Sequence, residues 1–283
     1  MSAPADRKGA LITGASRGIG KAISELSRSL DIKAVVFDLD GTIYRGNELI
    51  RGAASVLRLL VRRGFQVLYF TNNSTRARAQ IKEKLSRMGL NLELRQVYNS
   101  SYATGMYLRQ NGFKKVFCIG TEGLISELKT QGIQITEQKP EAIVVGLDPE
   151  FDYRKLAMAL RVFHKTKCPI IACNLDRNYP VEDGLIPGCG PIVSSIEDAC
   201  GKKTDAVIGK PNTFMLEMLL EDWGLKKEDI LVVGDSYESD IVMARRFNCK
   251  SVLISGPGHI EESGIINLSR ISLLKHLASV RKV

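Results

Sequence analysis

Asp38 and Asp40 stand two residues apart after the apolar run AVVF. Thr71 and Asn72 follow QVLYF, Lys210 follows DAVIG, and Asp235 and Asp240 follow ILVVG. Asp38, Asp40 and Asp235 are hard oxygen donors, the kind that hold Mg²⁺ together with a carbonyl, waters and a substrate phosphate. Crowded carboxylates without a cation repel one another and one of them takes up a proton. With Mg²⁺ and Lys210 at hand, Asp38 stays ionised and can attack phosphorus, which splits one difficult transfer into two easier steps. Asp40, in the same turn, can protonate the leaving oxygen and later deprotonate water, a role worth about 10² to 10⁴ in rate. The Thr71 hydroxyl, Asn72 and the Lys210 ammonium would hold the equatorial phosphate oxygens. Any one of these residues reads as well as a turn former. Together they converge on one substrate feature, a phosphate.

Such convergence needs a scaffold. In a parallel sheet the carboxyl ends of the strands share one rim, so residues remote in sequence can meet there. The runs AVVFD, QVLYF and ILVVGD are nearly continuous in Val, Phe and Leu, as expected of strands buried on both faces. Helical stretches separate them, among them LIRGAASVLRLLVRRG and STRARAQIKEKLSRMG, with Gly64 and Gly89 suited to helix ends. A second cycle runs from KVFCIG through AIVVG and FDYRKLAMALRVFHK to PIIACN. Pro211 suits the first turn of a helix running through FMLEMLLEDW. This order predicts an α/β protein: a Rossmann-like parallel-sheet core over 31–112 and 188–283, interrupted by a second α/β domain over 113–187. VSSIEDACG could belong to either part.

The composition excludes several classes. With 44% hydrophobic and 25% charged residues, the chain has the balance of a folded globule. Its formal charge of +9 favours anionic ligands. No basic cluster is interleaved with stacking aromatics, so a nucleic-acid partner is not expected. The absence of an apolar stretch of membrane-spanning length predicts no membrane partner. The six cysteines show neither CxxC pairing nor a zinc pattern, which, without a secretory segment, predicts reduced thiols and a cytoplasmic location.

The motifs VVFDLDGT, FTNNST, VIGKP and VVGDSYESD, in that order and strand context, resemble those of the haloacid dehalogenase superfamily. The long gap between the second and third resembles its NagD-like or p-nitrophenylphosphatase-like branch, and the likeness spans about residues 31–265. It implies a Mg²⁺-dependent phosphatase with an α/β cap inserted in the core. By the same resemblance Asp38 is the nucleophile and, with Asp235 and the Asp40 carbonyl, the metal site. Asp40 is the acid/base, Thr71, Asn72 and Lys210 bind phosphate, and Asp240 is the more distant carboxylate that supports the lysine or a metal-bound water. The aspartate after Leu39 favours phosphatase over dehalogenase. CNLDRNYPVEDGLIPGCG resembles the segment returning from the cap, so Asn174, Asp176 and Arg177 are candidates for contact with the leaving group, although Asp176 serves equally as a turn former. The branch often forms homodimers, an arrangement open to this chain.

The first 30 residues carry a rival. TGASRGIG, between GALI and KAISELSRSL, resembles the dinucleotide-binding turn of short-chain dehydrogenases, with Gly14, Gly18 and Gly20 admitting a pyrophosphate to a helix N-terminus. An NAD(P)-dependent oxidoreductase is the alternative this implies. That family also uses a Tyr-xxx-Lys pair, and no tyrosine here has lysine four residues later. The leader is therefore expected to be accessory to a phosphomonoesterase of small organic phosphates. A non-enzymatic phospho-ligand-binding protein is the third reading.

Overall fold

AVVFD forms β1 (Ala34–Asp38), buried along its whole length. The hairpin of β2 (Tyr44–Arg45) and β3 (Glu48–Leu49) follows, then α1 (Ala53–Arg62). The buried residues of α1, Ala53, Val56, Leu57 and Leu60, recur at the spacing of one helix face. Gly64, with φ of +79°, takes the left-handed backbone that ends it. The chain continues through β4 (Gln66–Thr71), α2 (Arg78–Arg87), β5 (Val97–Asn99) and α3 (Ser100–Gln110). Next come β6 (Lys115–Ile119), α4 (Glu122–Thr130), β7 (Gln134–Ile135), β8 (Ala142–Val145), α5 (Tyr153–Thr166) and β9 (Ile170–Ala172). The hairpin β10 (Asn178–Val181) and β11 (Gly184–Pro187) precedes α6 (Cys189–Cys200), β12 (Ala206–Val207) and α7 (Phe214–Trp223). The chain goes on through β13 (Ile230–Gly234), a π-helical turn (Tyr237–Ile241), α8 (Val242–Phe247), β14 (Lys250–Ile254), β15 (Ile265–Leu268) and a 3-10 turn (Ile271–Leu274).

These elements come from a computed structural model that describes residues 32–181, 183–254 and 265–275. The TGASRGIG leader, with Gly14, Gly18 and Gly20, lies outside the described residues. The chain divides into two compact units, Met1–Val67 with Leu225–Val283, and Leu68–Gly224.

In the first unit β1, β13, β14 and β15 pair side by side, all parallel, in the order β15-β14-β13-β1. β4 begins in this unit, where the Gln66 N–H donates to the Lys33 carbonyl at 2.9 Å. The β1 and β13 side chains are buried throughout, which explains why their sequences are continuous apolar runs rather than alternating ones.

The second unit holds the parallel pair β4 and β5 and a five-stranded sheet in the order β12-β9-β8-β6-β7. Its strands are parallel, and helices supply the crossovers. Ile143, Val145, Ile170 and Ala172 from the sheet pack with Val162 and Phe163 of α5 and with Cys189, Ile192, Val193 and Ile196 of α6. That apolar stripe settles VSSIEDACG: the helix joins the core of the five-stranded sheet. The sheet extends past residue 187 to β12, because Ala206 and Val207 pair with Ile171 and Ala172 rather than with a strand of the first unit. Pro211 also differs from expectation: it follows a cis peptide bond, and the helix begins only at Phe214, after Thr213.

No described helix is long and apolar enough to cross a membrane. The six cysteines are free thiols. Burial pushes Cys173 and Cys249 up to about 12, so neither carries appreciable thiolate at neutral pH.

Asn99 joins β5 to α3. Its side chain accepts from the Tyr102 N–H at 3.0 Å and donates to the Arg76 carbonyl at 2.6 Å, and it is fully buried. Asn99→Ala removes a helix cap and the bond to the Arg76 carbonyl, so it should lower the stability of the chain by about 1 to 2 kcal/mol in urea unfolding. A loss under about 0.5 kcal/mol would show that the cap carries little weight.

Candidate active site

β1 ends on Asp38, and β13 ends on Gly234, directly before Asp235. These strands are parallel neighbours, with Phe37 in register with Val233. The register therefore delivers both carboxylates to the same sheet rim. The π-helical turn then brings round Asp240. One carboxylate oxygen from each of Asp38, Asp235 and Asp240 lies within 4.8 Å of those of the other two. Asp38 and Asp240 are buried, and Asp235 is exposed.

Two glycines make room for this crowding. A Cβ at Gly41 would run into the Asp235 carboxylate, and one at Gly234 into that of Asp240. Gly41 also has φ of +89°, a conformation that other residues adopt only under strain. The turn itself is closed by backbone bonds from Ile43 and Tyr44 to the Leu39 carbonyl, at 2.9 and 3.1 Å. On the opposite rim segment, Asp240 accepts from the Ser236 N–H at 3.2 Å, and Ser236 caps the turn by accepting from the Ser239 N–H at 3.2 Å.

Asp40, in the β1 turn, is exposed, and its carboxylate accepts a hydrogen bond from the buried Tyr44 hydroxyl at 3.0 Å. Thr42 Oγ1 lies 3.5 Å from Asp235 Oδ1, at the outer limit of a hydrogen bond. Neither Thr42 nor Tyr44 stood out in the sequence, although both fall within the DLDGTIY segment that forms the turn.

The trio is a set of hard oxygen ligands pressed together by two glycines that leave no space for a side chain. It can coordinate a metal ion, and its donor chemistry fits a hard divalent cation.

The second unit presents polar donors. Thr71 ends β4, is buried, and accepts from the Asn73 N–H at 3.0 Å, which leaves its own proton to donate. Asn73 shapes the loop: its Oδ1 accepts from the Thr75 N–H and the Arg76 N–H, both at 3.0 Å. Asn72 and Asn174 are buried in one network, with Asn174 Nδ2 donating to the Asn72 carbonyl at 2.7 Å. Asp176 joins it, accepting from Asn72 Nδ2 at 3.0 Å and, through its backbone N–H, donating to Asn174 Oδ1 at 3.1 Å. Lys210 is buried three residues past β12, with its backbone tied to the Asn72 side chain. Arg177 is exposed at the base of the β10–β11 hairpin, its carbonyl accepting from the Gly188 N–H at 2.9 Å. Asn73 and Ser100 show how much of the network a reading for charged groups overlooks. The only signal was the density of Asn, Ser and Thr in TNNST and YNSS.

The family model described as haloacid dehalogenase-like hydrolase matches residues 35–134, and one described as HAD-hydrolase-like matches residues 207–262. Sugar-phosphatase AraL of Bacillus subtilis (strain 168) is 34% identical over 223 residues, which cover 78% of this chain and 82% of that protein. Human glycerol-3-phosphate phosphatase is 32% identical over 256 residues, with 79% and 78% covered. Among solved structures, the 4-nitrophenylphosphatase of Thermotoga maritima superposes with a TM-score of 0.82 at 28% identity, covering 87% of this chain and 97% of that one. The chain belongs to the haloacid dehalogenase-like hydrolases. Within them it is a phosphatase of the NagD-like, nitrophenylphosphatase-like branch, with a parallel-sheet core and a separate α/β cap domain.

Tyr44→Phe deletes the hydroxyl that holds the Asp40 carboxylate and nothing else. A hydrogen bond to a charged group is worth about 1.5 to 3 kcal/mol, reduced here because Asp40 is exposed. Steady-state kinetics on p-nitrophenyl phosphate should show kcat lower by about tenfold with KM little changed. An unchanged kcat would remove Tyr44 from any role at Asp40.

Proposed function

We propose that the chain is a Mg²⁺-dependent phosphomonoesterase that hydrolyses a small organic phosphate through an aspartyl-phosphate at Asp38. The observation that carries this reading is the trio of Asp38, Asp235 and Asp240 with carboxylate oxygens within 4.8 Å of one another. In this reading Asp38, Asp235 and the Asp40 carbonyl hold the Mg²⁺, with Asp240 supporting them. When bound, the cation offsets negative charge on the phosphoryl group as it transfers.

The residues divide the work as follows. A carboxylate oxygen of Asp38 attacks phosphorus, the bond from phosphorus to the ester oxygen breaks, and Asp40 gives its proton to the departing alkoxide. Water then attacks the same phosphorus, Asp40 takes its proton, and the bond to Asp38 breaks, so that the alcohol and inorganic phosphate leave and both aspartates return to their starting state. Thr71 and Lys210 supply hydroxyl and ammonium donors to the phosphate oxygens, where charge spreads in the transition state. Asn174, Asp176 and Arg177 are the candidates for reading the leaving group, since a cap recognises the part of the substrate that the chemistry ignores. The names of the relatives point to sugar phosphates and glycerol 3-phosphate as the first esters to try.

Asp38→Asn keeps the volume and removes the nucleophile. It should lower turnover of p-nitrophenyl phosphate by at least about a thousandfold without loss of the folded state. EDTA should abolish wild-type turnover and Mg²⁺ restore it. A folded Asp38→Asn protein with near wild-type kcat, or wild-type turnover that persists in EDTA, would overturn the proposal.

A further inference from the structure

The sequence pairs Asn72 with Thr71 as phosphate ligands, yet its carboxamide is engaged elsewhere. Nδ2 donates to the Lys210 carbonyl at 3.0 Å and to Asp176 Oδ1 at 3.0 Å, while Oδ1 accepts from the Lys210 N–H at 2.8 Å. The partners fix the orientation of the amide, since the Lys210 N–H needs an acceptor and the Lys210 carbonyl a donor. Both amide hydrogens are therefore spent. What remains is lone-pair capacity on Oδ1, which has no attraction for a phosphate oxygen.

The arrangement is that of one peptide group paired with another: a side chain has taken the place of a neighbouring strand for Lys210. Gly209 allows it, because a Cβ there would crowd Asn72 Oδ1 and come within 2.7 Å of the Cys173 carbonyl. The backbone of Asn72 is held in turn, its carbonyl accepting from Ser100 Oγ and Asn174 Nδ2, both at 2.7 Å. Asn72, Asn174, Ser100 and Lys210 are all buried, so each bond counts for more than it would in water.

We propose that the Asn72 side chain is a positioning group: its carboxamide clamps the Lys210 backbone and the Asp176 carboxylate to the end of β4, and the side chain acts on the reaction through Lys210 rather than by touching phosphate. This rests on the phosphatase reading of the site. If Asn72 works through Lys210, its removal should matter only while the lysine is present. If it were an independent ligand, the two losses would multiply.

The test is a double-mutant cycle on the full chain, with kcat and KM for p-nitrophenyl phosphate in Mg²⁺ measured for wild type, Asn72→Ala, Lys210→Ala and the double variant. Asn72→Ala should lower kcat by about 30-fold or more in the wild-type background and by less than about threefold in the Lys210→Ala background. Equal factors in both backgrounds would overturn the proposal. Should Asn72→Ala lack a cooperative thermal transition, Asn72→Asp takes its place. It keeps the acceptor for the Lys210 N–H but sets an oxygen against both the Lys210 carbonyl and the Asp176 carboxylate. Adding Asp176→Asn returns a donor to the second contact and should recover at least about fivefold of the lost rate. No recovery would overturn the proposal. A wild-type chain that turns over no phosphate ester would instead defeat the phosphatase reading itself, so the two failures are distinguishable.

Discussion

Three carboxylates cannot share a space of 4.8 Å as anions without compensation. At an effective dielectric constant of about 20, each pair at that separation repels by on the order of 3 kcal/mol, so the trio carries a sum comparable to the whole stability of an ordinary domain. Exposure of Asp235 softens this, whereas burial of Asp38 and Asp240 does not. A cation ligated by the trio would turn the repulsion into attraction, and the fold offers it the oxygen donors. β1 and β13 are parallel neighbours in a register that ends both at the same level, and Gly41 and Gly234 remove the two methyl groups that would hold the carboxylates apart.

The buried polar residues of the other unit obey a different logic. Buried Asn, Ser and Thr cannot be left unpaired, so each is tied to a backbone group: Ser100 to Asn72, Ser101 to Ser74, Thr104 to Ser100. The result is a loop after β4 whose shape is set by side-chain bonds rather than by packing. Thr71 is the exception that matters, since the bond it accepts leaves its proton uncommitted. A loop held in this way would position a donor before a substrate arrives, which is where preorganised electrostatic stabilisation gets its advantage.

Much of this was legible in the residues. Continuous apolar runs gave β1, β4 and β13, because a strand covered on both faces has no polar face to alternate with. The aspartates at the ends of the first and last of those runs stood out because charge seldom follows so closely on a buried strand without a reason. What failed did so where pattern and partner part company. DAVIG looks like a core strand, but its pairing with β9 depends on a sheet that local sequence does not encode. Pro211 fits a helix start, yet the helix waits for Phe214. Nor could the pattern show that the Asn72 amide bonds to Lys210 and Asp176, since those partners lie more than a hundred residues away. Thr42 lay inside a recognised motif and Tyr44 two residues beyond it, and both passed unnoticed because neither carries charge.

The dependence of the trio on a cation can be measured without substrate. Thermal unfolding of wild-type and Asp235→Asn chains, each with and without Mg²⁺, separates repulsion from coordination. The account predicts that Mg²⁺ raises the wild-type midpoint, and that Asp235→Asn is at least as stable as wild type in EDTA but responds little to Mg²⁺. A wild-type midpoint indifferent to millimolar Mg²⁺, or a variant that is less stable in EDTA yet fully responsive to the cation, would contradict it.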